Sequence, residues 1–135
     1  MDAAELKDFA TRYTAAWCSQ DAKSVAAFFE ESGALRINNG NPSVGRAAIT
    51  EAAQGFMTSF PDLVVAMDAI TRRNENHATY RWTLTGTNLR PGGTNKAVRI
   101  SGFEEWTFGP KRLIADSKGH FDEADYQRQL AAGAI

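Results

Sequence analysis

The chain has 135 residues, of which 43% are apolar, 10% aromatic and 23% charged. That size and composition suit a single domain with its own core and exclude a disordered chain. Fifteen basic against 16 acidic side chains leave a net charge of −1, which provides no basic surface for nucleic acid or an anionic membrane.

Leu6, Phe9, Tyr13 and Trp17, with Ala10 and Ala16, recur at spacings of three and four and predict a first helix. Asp2 and Glu5 form a capping-box pattern at its start. Ser19-Gln20-Asp21 breaks it, and Asp21 caps a second, short helix carrying Val25, Phe28 and Phe29. Gly33 ends that helix, a short strand covers Ala34–Ile37, and Asn38–Pro42 is dense in turn formers. A third helix runs from Arg46 to Ser59, stopped by Pro61. Strands follow over Leu63–Ile70, Ala78–Asn88, Ala97–Phe108 and Leu113–His120, and a short helix over Asp122–Leu130. In the second of these strands Ala78, Tyr80, Trp82, Leu84 and Gly86 share one face and Thr79, Arg81, Thr83, Thr85 and Thr87 the other. Helices grouped before strands predict an α+β fold in the order α-α-β-α-β-β-β-β. Its antiparallel sheet curls round the helices and leaves a pocket between the layers.

Other features narrow the function. Cys18 is the single cysteine, so no internal disulfide forms and a cytoplasmic location is expected. The acidic, amphipathic opening Met1–Lys7 argues against a secretory signal, and no apolar run is long enough to cross a membrane. Two histidines and one cysteine are too few for a zinc centre, and no phosphate-binding glycine loop is present. Neither metal nor cofactor is therefore expected.

Seven segments in order carry a resemblance: Tyr13-Thr14-Ala15-Ala16-Trp17 with Asp21; Phe28-Phe29-Glu30 with Ala34; Gly45-Arg46-Ala47-Ala48-Ile49; Phe60-Pro61-Asp62-Leu63; Arg81 to Thr87; Gly102 with Trp106 and Phe108; and Asp122 with Gln129-Leu130. Together they resemble the nuclear-transport-factor-2-like superfamily, and most closely its SnoaL-like polyketide cyclase branch. The resemblance implies a cone-shaped α+β barrel over residues 1–135. It implies a homodimer formed through the open sheet face and a small apolar or polyketide-like ligand. It also implies a cofactor-free acid/base reaction: cyclisation, isomerisation, dehydration or epoxide hydrolysis. The superfamily contains non-catalytic binding and dimerisation modules too, so the function rests on the pocket.

Asp122 matches the terminal acid of the cyclases, where a carboxyl over an apolar pocket has its pKa raised by desolvation. The same residue also reads as a helix N-cap, followed by Asp125 three positions on. His120 has the same strand parity and is the expected second proton carrier. Asp116 and Lys118 share that parity, and sequence does not decide whether the row points inward. Tyr13 and Glu104 match the Tyr and carboxylic acid that form the oxyanion hole of ketosteroid isomerases. The isomerase base has no counterpart, because Ile37 or Asn38 stands where an Asp is needed. Trp17, Phe56, Phe60, Trp82 and Trp106 are expected to serve both as core and as the wall of the substrate pocket.

Overall fold

A computed structural model describes residues 1–134. Helix α1 spans Ala3–Cys18, α2 Ala22–Ala26, α3 Arg46–Ser59 and α4 Glu123–Ala132. The strands are β1 Phe29–Ile37, β2 Ser43–Val44, β3 Val64–Arg72, β4 His77–Thr87, β5 Ala97–Phe108 and β6 Ile114–Phe121. They form one curled, unclosed six-stranded sheet in the order β2-β1-β6-β5-β4-β3. All pairs are antiparallel except β1–β6. This is the α+β architecture expected, with its helices ahead of a β3–β6 meander.

Local chemistry explains the helix limits. Asp2 accepts from the Glu5 amide at 2.8 Å while the Glu5 carboxylate accepts from the Asp2 amide at 3.1 Å. This reciprocal pair satisfies two free amides at the start of α1. Leu6, Phe9, Ala10, Tyr13, Ala16 and Trp17 are the buried stripe of α1. Gly45, at φ +89°, turns the chain into α3, a conformation that costs glycine little.

Two boundaries differ from expectation. Phe29 opens β1 rather than ending α2, because the Phe28 carbonyl accepts from the Ile114 amide at 2.9 Å and Phe29 pairs with Ile114. Glu30 and Gly33 then lie in an irregular stretch of that pairing. Glu30 is buried there and accepts from the Lys111 amide at 2.9 Å. The two-residue β2, which pairs Ser43 with Leu35 and Val44 with Ala34, was not anticipated.

The long β4–β5 pairing runs without a register shift. Asn88 organises the loop that joins the strands: its side chain accepts from the Thr94 amide and donates to the Ser59 carbonyl. The β4 alternation is as read from the sequence. Tyr80, Trp82 and Leu84 face the helices, and Arg81 and Thr83 face away. Phe9, Tyr13, Tyr80 and Trp106 form the centre of the core, with Tyr80 stacked on Trp106 at 4.8 Å between ring centroids. Among the described residues no helix is long and apolar enough to cross a membrane.

Candidate functional site

Between the inner sheet face and the helices lies a chamber of about 60 Å³. Trp17 of α1, Phe56 of α3, Leu35 and Ile37 of β1, and Trp82 and Leu84 of β4 supply much of its apolar wall. Gly119 of β6 leaves space directly opposite Glu104, its partner on β5.

Among the described residues Glu104 is the one acidic residue in the lining, and it is 7% exposed. Its Oε1 accepts three hydrogen bonds, from Ser117 Oγ at 2.7 Å, Tyr13 Oη at 3.0 Å and Trp106 Nε1 at 3.1 Å. Oε2 has only a long second contact with Tyr13, at 3.3 Å. Among the described residues no Lys, Arg or His forms an ion pair with it. Burial therefore raises the Glu104 pKa, and the three donors only partly offset that rise. With Oε1 occupied by donors, the proton of the neutral acid belongs on Oε2.

Two tyrosines complete the polar network. Burial, reinforced by the neighbouring Glu104 charge, holds Tyr13 well above the ordinary phenol value. Tyr80 is raised for the same leading reason. Thr14 Oγ1 lies 2.8 Å from the Ala10 carbonyl and is also hydrogen-bonded to the Tyr80 hydroxyl, which is thereby tied to α1.

The residues singled out from sequence divide into three groups. Trp17, Phe56, Trp82 and Glu104 line the chamber. Tyr13 and Trp106 stand behind it and bind Glu104, while Phe60 is buried at the end of α3 against Gly86 and near Tyr126. Asp122 and His120 lie elsewhere than over the chamber. Ser117, Gly119 and Phe121 are the inward row of β6, so the even-numbered row faces out. Asp122 is exposed and caps α4, accepting from the Asp125 amide at 3.0 Å. His120 meets Glu105 at 2.8 Å and stacks on Phe103 on the outer face. Sequence reasoning left the face of Ser117, Gly119 and Phe121 undecided, because two small side chains and one aromatic ring give no clear hydrophobic alternation. The pairing of Trp106 with Ser117 and Glu104 with Gly119 is what identifies them.

The sequence pattern of the SnoaL-like domain matches residues 10–116. No curated protein sequence matches the chain. Among solved structures, the epoxide hydrolase/cyclase-like enzyme SalBIII, of pyran ring formation in the polyether salinomycin, superposes with a TM-score of 0.77. It has 17% identity over 91% of this chain and 95% of that one. A protein of Jannaschia sp. CCS1 assigned to the SnoaL-like polyketide cyclases gives 0.77 at 12% identity, covering 98% of both chains. A phenazine biosynthesis-related protein of Pseudomonas aeruginosa gives 0.75 at 16% identity over 99% and 92%. At these identities the structures share the fold with this chain and nothing finer follows from them. The family pattern spans most of the sequence, and the chain belongs to the SnoaL-like domain family, within the nuclear-transport-factor-2-like superfamily.

Proposed function

We propose that the chain binds a small apolar molecule bearing a carbonyl or epoxide oxygen and acts on it as a cofactor-free general acid through Glu104. The observation that carries this reading is a buried carboxyl in the lining of an apolar chamber, without a cation, loaded with donors on one oxygen and holding only a long contact on the other. Such a group holds its proton to higher pH than an exposed Glu and donates it where charge develops. Among the described residues the chamber lining contains no second carboxyl, His or Lys. Ring closure by the substrate's own hydroxyl fits a site with a single acid. The hydroxyl oxygen attacks carbon, the electrophile's C–O bond breaks (for a carbonyl, its π bond), and that oxygen takes the Glu104 proton. The attacking hydroxyl then returns its proton to the carboxylate. Cyclisation and epoxide opening both follow this balance, and both fit the cyclase and epoxide-hydrolase-like character of structures sharing the fold.

A second reading, a binding module without chemistry, is favoured by chamber size. About 60 Å³ is well below the roughly 300–1,000 Å³ of ordinary ligand pockets. Titration of carbon-labelled Glu104 by NMR, with and without butanone, separates the readings. A raised pKa that moves when butanone binds supports the acid. An ordinary value overturns it, and butanone binding with no change at Glu104 leaves the module. The same group has an energetic signature. Its folded pKa is raised, so the native state keeps a proton the unfolded chain has released. Stability is therefore full below the unfolded Glu value and falls as pH rises through the folded value. Chemical denaturation of Glu104→Gln should show that slope removed.

A further inference from the structure

The chamber shares part of its wall with a second, open space. Ile37, Phe56 and Phe121 line both the chamber and this vestibule of about 470 Å³. Asn38, Asn39, Gly40, Glu123 and Tyr126 complete the vestibule wall. Among the described residues Glu123 is its only charged lining residue. The Glu123 carboxylate accepts from Asn38 Nδ2 at 3.2 Å and from Gln127 Nε2 at 3.0 Å. Both donors are neutral, so its charge is not cancelled by either.

Asn38 joins the two spaces. At φ +51° its amide donates to the Gly119 carbonyl at 2.8 Å, its Oδ1 accepts from the Phe121 amide at 2.9 Å, and its Nδ2 reaches Glu123. One side chain thereby fixes the position of Glu123 relative to the chamber wall. Tyr126, half-buried and packed edge-on against Phe121 at 5.5 Å, adds an aromatic ring within reach of the Glu123 charge and, more weakly, of the Arg90 guanidinium. A carboxylate next to an aromatic ring suits a cation.

We propose that the ligand is elongated, with a compact oxygen-bearing head in the chamber and a cationic amine end in the vestibule beside Glu123. The inference rests on the binding reading of the chamber given above, and adds to it the class of ligand. The small chamber admits the head alone, and the body leaves between Phe56 and Phe121.

The test uses methyl hexyl ketone and the same ketone with a terminal dimethylamino group, each titrated into the protein while tryptophan fluorescence is followed. Trp17 and Trp82 line the chamber and report its occupation. The amine is expected to bind about threefold tighter, the worth of a partly exposed ion pair. That preference should shrink with added salt and vanish in Glu123→Gln, which keeps an oxygen for Asn38. Equal affinity of the two ketones for the wild-type chain, or a preference that survives in Glu123→Gln, overturns the vestibule proposal and leaves the chamber reading standing. Failure of both ketones to bind overturns both.

Discussion

Asp122 shows how one residue supports two readings until its surroundings are known. Its spacing to Asp125 and its place in the terminal motif fit both a cap and an acid. In the folded chain its carboxylate holds the Asp125 amide and faces solvent. Asp122→Ala should cost about 1 kcal/mol of stability and Asp122→Asn very little, since Asn caps as well as Asp. Thermal unfolding of the two variants checks this, and equal losses in both would contradict the capping role. Glu104 is the opposite case. Its match to an isomerase acid pointed to Tyr13, and that contact is present. Trp106, two residues along the same strand, was readable as sharing the Glu104 face, whereas Ser117 was not legible as a partner because it lies on another strand. Only register and strand parity bring them to the same oxygen.

At the level of elements, regular periodicity was readable and cross-chain pairing was not. The stripe of α1 and the alternation of β4 follow from sequence because each buries one face along its own length. β1 was misread at its start because Glu30 resembles an exposed helix residue. Its burial depends on the Lys111 amide, 81 positions away. β6 places Gly119 between the inward residues Ser117 and Phe121, and the missing side chain keeps the space by Glu104 open. A Cβ at Gly119 would lie 3.3 Å from the Arg36 carbonyl and 3.8 Å from Glu104 Cγ, so alanine needs only a small adjustment of the backbone. Gly119→Ala should therefore stay folded and weaken the binding of a small ketone. A calorimetric titration showing unchanged butanone affinity would mean that the ligand lies away from the Glu104 face.

Over the whole molecule the two sheet faces have different characters. The inner face is covered by helices. The outer face of β3–β6 exposes Arg81, Arg99, Ser101 and Glu105, with Phe103 held between the Arg81 guanidinium at 5.1 Å and the His120 ring at 4.7 Å. Asp68, Thr83 and Ser101 form a hydrogen-bonded row beside it. A semi-polar face with an aromatic centre suits a two-fold interface, and we propose that two copies pair through it. Light scattering at tens of micromolar should give twice the 14.8 kDa of one chain, and Phe103→Asp should halve that mass. A wild-type monomer would refute the pairing.

The parallel pairing of β1 with β6 also has a temporal consequence. Phe29–Ile37 is synthesised well before its neighbour in the sheet, Ile114–Phe121. Until then one edge of β1 has no partner, and β5 lacks the strand that brings Ser117 to Glu104. Contacts so distant in sequence carry a large loop-closure cost and slow folding. A nascent chain still short of β6 therefore exposes a sticky strand edge to other chains on the ribosome. The hydrogen-bond network round Glu104 is completed in the same step that closes that edge.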